Sequence, residues 1–237
     1  MAHFGVFAGV QRRAGLTCAT MHNPDAYTML PEGIKPAISR DAMAALPVRR
    51  YEGPLCVVTT RTELNNALAD IQQETVVGFD TETRPAFRKG VRYDPALVQV
   101  ATAHMVYLFQ LRRVDVIPGL AEMLISPHIV KVGVAVGRDI KELKEVFAFA
   151  EKSVLDLGVV ARRYGLQQTG VRNLAGIFLG CRITKAARTS NWAATTLTPQ
   201  QIAYAATDAW IGRELYLRFR SLGMRCHGAG MAPDILP

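Results

Sequence analysis

The chain has 237 residues, of which 49% are hydrophobic, and 28 Lys and Arg side chains against 20 acids give a formal charge of +8. This length suits one sizeable α/β core, since two domains would each be small, and the positive charge favours polyanions such as nucleic acid over acidic partners. The four cysteines are far apart and form no CxxC pair, which argues against a zinc knuckle or a disulfide framework and favours the cytoplasm. No stretch of the sequence is long enough to predict a membrane span.

The two ends of the chain differ from its middle. Residues 1–54 contain five prolines and no sustained periodicity, which predicts an extended N-terminal arm rather than a domain. Residues 224–237 predict a frayed C-terminal tail. The dense pattern between them, 55–223, predicts a single folded domain.

The first half of this domain is rich in strands. It predicts a strand, an amphipathic helix that begins beside Thr60, a buried strand, and then two strands joined by a tight turn near His104. These elements cover 55–60, 61–71, 75–82, 96–103 and 105–111. The last two strands are expected to form an antiparallel hairpin.

The second half alternates helices with strands. It predicts a helix, a strand, a helix, a short strand or bend leading into a helix, a short helix ending at Gly180, and a polar connector. These elements cover 117–126, 129–136, 138–150, 153–165, 173–180 and 185–196. The whole order predicts an α/β fold with a mixed sheet of five to six strands and helices on both faces.

The last helix carries its own start and stop signals. Thr198 is the predicted N-cap, Pro199 takes the first helical position, and Gln201 completes a capping box. We expect this helix to run to about Ser221, with Gly223 as its stop.

Two acids lie on the buried strand pattern VVGFDTET. Asp80 and Glu82 are two residues apart, so their side chains leave the same face of a strand, where they repel each other unless a cation neutralises them. An isolated DxE is also common as the solvated end of a strand. The apolar residues that precede this pair favour the metal interpretation.

Three further residues fit the same site. Asp139 falls in the first turn of a helix, where acids are common for electrostatic reasons alone. Tyr204 and Asp208 are four residues apart on the last helix and therefore share one of its faces. Each observation has an ordinary structural explanation, and it is their conjunction that indicates a common site.

These three motifs resemble those of the DEDD superfamily of 3′–5′ exonucleases, in its tyrosine-bearing branch. The resemblance covers about 55–222 and is closest to the exonuclease domain of Werner-syndrome helicases, with ribonuclease D more distant. The most diagnostic string is TSNWAATTLTPQQIAYAATDAW, because that family has a similar Ser-Asn-Trp, a Leu-Thr cap and Tyr-Ala-Ala-Thr-Asp-Ala.

The resemblance implies an RNase H-like fold and a two-metal-ion site. Asp80, Glu82, Asp139 and Asp208 would hold two divalent ions, and Tyr204 would orient the attacking water. Oxygen ligands without nearby His or Cys select hard cations, so we expect Mg²⁺ or Mn²⁺. The implied reaction removes nucleoside 5′-monophosphates one at a time from a 3′ end.

Several residues are weaker candidates for substrate binding. Phe87, Arg88 and Lys89 follow the acid-bearing strand and can stack on a base and meet phosphates, although a solvated loop is an equal alternative. Lys185 and Arg188, in the polar connector, can line the same groove. Trp192 is expected to fill the core instead.

The substrate stays open at this point. We expect single-stranded nucleic acid ends or short oligonucleotides, with DNA favoured by the Werner-like string and RNA by the resemblance to ribonuclease D. One alternative is a non-catalytic nucleic-acid-binding module on the same fold, which would be expected to have lost an acid or the tyrosine. A second is a phosphodiesterase for small cyclic or dinucleotide substrates.

Overall fold

A computed structural model describes Met1 and residues 29–113 and 115–226 of the chain. The six strands of the described residues are β1 Leu55–Val58, β2 Val76–Thr83, β3 Pro95–Ala101, β4 Val106–Gln110, β5 Val130–Gly133 and β6 Val154–Asp156. The helices are α1 Arg40–Ala45, α2 Arg61–Ile71, α3 Ile117–Ile125, α4 Val136–Lys144, α5 Leu157–Arg163, α6 Val171–Leu179 and α7 Pro199–Ser221. None of them is both long enough and apolar enough to cross a bilayer.

The strands form one mixed sheet in the order β1-β4-β3-β2-β5-β6. β2, β3 and β4 are antiparallel neighbours, whereas β1 runs parallel to β4 and β5 runs parallel to both β2 and β6. The predicted mixed sheet and the predicted hairpin between β3 and β4 are confirmed.

Helices cover both faces of the sheet, as predicted. On one face, Leu64 of α2, Leu120 of α3 and Leu143 of α4 pack with Phe79 of β2 in a single buried cluster. On the other face, the long helix α7 packs against β2, β3, β4 and β5, with α5 and α6 beside it. The core therefore has two layers, separated by the sheet.

Helix α7 comes unusually close to the sheet. A Cβ atom on Gly78 of β2 would overlap the carbonyl oxygen of Ala209, and one on Gly212 would lie 3.2 Å from the carbonyl oxygen of Val132. The small residues of the AATDA segment thus let the helix axis approach β2 directly. The capping box predicted at Thr198 is present at the start of α7, and a second one, which the sequence analysis did not predict, joins Thr60 and Glu63 at the start of α2.

Two element boundaries differ from the sequence prediction by three residues or more. The predicted strand 129–136 ends at Gly133, because Ala135 takes a left-handed conformation (φ 65°) and α4 begins at Val136. The predicted helix 138–150 ends at Lys144, and Phe147 and Phe149 instead pack their rings together, 5.0 Å apart, against the core. The left-handed turn at Ala135 and the contact between Phe147 and Phe149 interrupt the local periods on which these two predictions depended.

The described part of the arm, 29–54, contains α1 and otherwise follows the core without regular structure. The Gln167 amide donates to the Pro36 carbonyl, and the Arg182 amide donates to the Pro47 carbonyl, each at 2.9 Å. Residues 2–28 lie outside the described chain, as do residues 227–237 of the predicted tail. Met224 and Cys226, at the start of that tail, are buried.

Candidate active site

The two acids of β2 lie on the face of the sheet that α7 covers. Asp80 and Glu82 alternate with Phe79 and Thr81, whose side chains leave the opposite face. Gly78, on the same face as the acids, marks the point of closest approach to α7. The strand therefore directs both carboxylates toward the helix.

Helix α7 supplies the third carboxylate. One oxygen atom each from Asp80, Glu82 and Asp208 lies within 4.8 Å of the other two. Glu82 is only 9% exposed. Three of the four acids that the sequence predicts to share a site therefore lie together in the fold.

Asp139 reaches this cluster from the other side of β2. It lies in the first turn of α4, and its Oδ1 accepts a hydrogen bond of 2.7 Å from the Thr81 hydroxyl. Its oxygens fall outside the 4.8 Å group, yet its charge is the second-largest cause, after burial, of the raised pKa of Asp80. Asp139 is thus adjacent to the three acids without joining their tightest cluster.

The electrostatics of the cluster oppose ionisation. Burial, followed by the charges of Asp208 and Asp139, raises the pKa of Glu82 to about 9, although Arg188 acts in the opposite direction. Burial together with neighbouring acids holds the pKa of Asp80 well above its usual range. Burial also raises the pKa of Asp139 and that of Asp208 to about 6. A bound cation would remove this unfavourable energy.

Tyr204 sits one helical turn before Asp208. Burial and the nearby Asp208 charge raise the pKa of its hydroxyl, so it stays a neutral hydrogen-bond donor across the physiological range. Its ring packs against Trp192, with centroids 5.9 Å apart. Trp192 itself is fully buried, which confirms its predicted place in the core.

The predicted substrate-binding residues divide into two groups. Arg188 lies close enough to the cluster for its charge to lower the pKa of Glu82, and it lines a cavity of about 590 Å³. Phe87 is 86% exposed, and Arg88 and Lys89 are also exposed in the loop between β2 and β3. Lys185 is exposed in the connector before α7. Within the described chain, no contact ties these last four to the acids.

Several residues near the site carried no clear signal in the sequence. In the cavity beside Arg188, the guanidinium of Arg84 lies 4.9 Å from the ring centre of Tyr93. Gln99 is directly opposite Asp80 on β3, is fully buried, and has no hydrogen-bond partner for either amide atom among the described residues. A glutamine inside the apolar run ALVQVA was the one available signal for it.

A family profile described as 3′-5′ exonuclease matches residues 55–223, which carry all five candidate catalytic residues. The chain belongs to this exonuclease family. The profile covers the folded domain from β1 to the glycine after α7, so the resemblance drawn from the motifs is confirmed.

Curated relatives in this family include larger proteins. The chain is 34% identical over 155 residues to the mouse bifunctional 3′-5′ exonuclease/ATP-dependent helicase WRN, which aligns 62% of this chain with 11% of that protein. It is 32% identical over 165 residues to ribonuclease D of Gluconacetobacter diazotrophicus, aligning 68% of this chain with 41% of that protein. This chain therefore spans less than half the length of each of these two relatives.

Solved structures share the fold. The exonuclease domain of Aedes aegypti Nibbler superposes with a TM-score of 0.66 and 23% identity, covering 75% of this chain and 92% of that domain. Escherichia coli RNase D superposes with a TM-score of 0.62 and 20% identity, covering 71% of this chain and 46% of that one. The expected RNase H-like fold is confirmed by these neighbours.

Proposed function

We propose that this chain is a metal-dependent 3′–5′ exonuclease that shortens single-stranded DNA or RNA ends, or short oligonucleotides, and releases nucleoside 5′-monophosphates. The observation that carries the proposal is the meeting of Asp80, Glu82 and Asp208 within 4.8 Å, inside a domain of the 3′-5′ exonuclease family. Every acid of the family pattern, and its tyrosine, is present.

The residues at the site fit divalent cations. The cluster offers carboxylate oxygens and neither His nor Cys, and these are ligands that Mg²⁺ and Mn²⁺ prefer. Asp80, Glu82, Asp139 and Asp208 would hold two ions. When bound, such ions activate water and neutralise the charge that develops on an in-line phosphoryl displacement.

The protein's own side chains would position the reactants. Tyr204, neutral and close to Asp208, would orient the attacking water through its hydroxyl. Arg188, whose charge reaches Glu82, would hold a phosphate oxygen of the substrate. Phe87, Arg88, Lys89 and Lys185 would contribute to the grip on the nucleic acid, away from the reacting atoms.

The partner is proposed to be single-stranded nucleic acid. In support, Trypanosoma brucei RNase D, a structural neighbour with a TM-score of 0.63 and 20% identity, has been solved in complex with RNA U12. Exposed Arg88 and Lys89 fit the same partner. The composition, with its four separated cysteines, supports a cytoplasmic setting.

Digestion of matched DNA and RNA oligonucleotides, each labelled at the 5′ end, tests the proposal. With Mg²⁺ or Mn²⁺ we expect a ladder that shortens from the 3′ end, no reaction in EDTA, and none with Asp208→Ala. Internal cuts, cleavage in EDTA, or full activity of Asp208→Ala would overturn it. Binding without any shortening would favour the non-catalytic binding module. The ratio of the digestion rates of the DNA and RNA oligonucleotides gives the preference for deoxyribose or ribose.

A further inference from the structure

A second cavity, which Arg188 does not line, opens beside the carboxylates. Its volume is about 830 Å³, compared with about 590 Å³ for the cavity at Arg188. One wall is the segment 48–53, and the other is the exposed side of α7 from Pro199 to Trp210. Tyr204 and Asp208 line its inner end, so this groove leads to the candidate active site.

The groove has a cation and two aromatic rings along its wall. The guanidinium carbon of Arg49 lies 5.0 Å from the ring centre of Trp210. The ring of Tyr51 lies 5.8 Å from the same ring at a tilt of 48°. Tyr51 and Trp210 are partly buried, so each keeps an accessible surface in the groove.

The wall is held in place by hydrogen bonds to the core. The Tyr51 amide donates to Thr207 Oγ1 at 3.0 Å, and the Arg49 amide donates to the Arg182 carbonyl at 2.9 Å. The Tyr51 hydroxyl donates to the Pro54 carbonyl at 2.8 Å, while a Cβ atom on Gly53 would meet that hydroxyl at 2.5 Å. The aromatic and basic side chains are thus presented from an ordered backbone.

The charges leave Arg49 available. Arg50 forms an exposed ion pair with Glu52, at 3.2 Å, which offsets its charge. Within the described chain, the Arg49 guanidinium forms no ion pair. Arg49 is exposed, so its guanidinium is accessible to an anion from solution. A cation above an aromatic platform is the arrangement that grips single strands, whose phosphates and bases alternate.

We propose that this groove binds a single-stranded segment of nucleic acid next to the scissile linkage, with bases stacked on Trp210 and Tyr51 and a phosphate held by Arg49. This inference rests on the proposed function and adds a substrate-binding surface to it. The volume lies within the range of roughly 300–1,000 Å³ usual for ligand pockets. The segment 48–53 precedes the family-matched residues 55–223, so this wall is a feature of the chain outside the shared motifs.

Tryptophan fluorescence reports on the groove without any catalysis. The chain has two tryptophans, and Trp192 is fully buried, so quenching by an added oligonucleotide in EDTA would come from Trp210. Wild-type protein is titrated with oligo-dT and oligo-U of two to eight nucleotides. We expect saturable quenching with the wild type and none with Trp210→Phe.

A variant of Arg49 tests the groove independently of tryptophan fluorescence from Trp210. Arg49→Gln should weaken binding several-fold and make the salt dependence of log Kd shallower by about 0.7 per lost phosphate contact. Arg61→Gln, a matched exposed arginine at the start of α2 on the opposite face of the sheet, should bind like the wild type. Both variants change an exposed side chain, so both are expected to fold.

The groove and the proposed function can fail separately. Wild-type affinity and salt dependence in Arg49→Gln, or no quenching while the protein still digests the same oligonucleotides, would overturn the groove and leave the exonuclease proposal intact. Quenching that depends on Arg49, with no digestion under any metal, would support the groove and overturn the exonuclease proposal.

Discussion

Replacing Asp80 by Asn should stabilise the metal-free protein. The fold forces Asp80, Glu82 and Asp208 to within 4.8 Å of one another in a largely buried position. Two ionised groups at that distance repel by about 3.5 kcal/mol at an effective dielectric constant near 20. The protein avoids this repulsion by keeping protons on the cluster, which itself has an energetic cost.

The size of that cost follows from the pKa of Glu82. Burial and the charges of Asp208 and Asp139 raise it from 4.5 to about 9. Holding the proton at pH 7 costs about 3 kcal/mol, at 1.36 kcal/mol per pH unit. Glu82 sets the scale of this cost for one carboxyl group. Asp80→Asn removes another such group, whose pKa is raised by burial and by the charges of Asp139, Asp208 and Glu82. We therefore expect about 2 kcal/mol of stabilisation, or roughly 4–8 °C in Tm for a chain of this size.

The raised pKa values also determine how the stability of the metal-free protein changes with pH. A carboxyl group whose pKa is raised by folding contributes stability below its unfolded pKa, and this stability is lost as the pH rises toward the folded pKa. In EDTA, the wild-type Tm should therefore fall between about pH 4.5 and pH 9, and the Asp80→Asn variant should fall less.

Thermal unfolding in EDTA and in Mg²⁺, for both proteins across this pH range, is the assay. Metal should raise the wild-type Tm, because a ligand of the native state stabilises it, and should raise that of the variant less. A wild type that melts no lower than the variant in EDTA, with no upward shift in Mg²⁺, would refute the shared site.

Three further changes test the site from other directions. Tyr204→Phe should keep its metal affinity, measured by calorimetry, yet lower the single-turnover rate at least about tenfold, whereas Asp208→Ala should lose both metal affinity and turnover. Wild-type turnover by Tyr204→Phe, or intact metal binding by Asp208→Ala, would contradict these roles. Gly78→Ala should destabilise the protein by several kcal/mol in denaturant titration, because its Cβ would overlap the α7 backbone; a change below about 1 kcal/mol would show that the close approach is unnecessary. Arg88→Ala combined with Lys89→Ala should raise KM, flatten its salt dependence and spare kcat; an unchanged KM across a salt series would make the loop ordinary surface.

Local signals were sufficient where one short segment determines the structure. The capping box at Thr198 and the stop at Gly223 predicted α7 almost to the residue, since both depend on hydrogen bonds within one turn. The alternation of Asp80 and Glu82 with Phe79 correctly predicted their common face for the same reason. Such features need no knowledge of the rest of the fold.

Long-range packing set the features that the sequence did not predict. The left-handed turn at Ala135, which shortens β5 and starts α4, coincides with a hydrogen bond from its amide to Asp156, 21 residues away. The groove at Tyr51 depends on a contact with Thr207, 156 residues away, so the sequence indicated only an extended arm there. Lys185 and Arg188 looked equivalent in the sequence, and both are exposed in the structure. Only the fold of the connector shows that Arg188 lies close enough to Glu82 for its charge to lower the pKa of that group.

The most direct test of the shared site is diffraction from crystals soaked in Mn²⁺, measured at the manganese absorption edge. The account predicts two anomalous peaks at the carboxylates of Asp80, Glu82, Asp139 and Asp208, and a loss of occupancy in Asp208→Ala crystals. No peak at this cluster at saturating Mn²⁺, or peaks only at other acids, would contradict it.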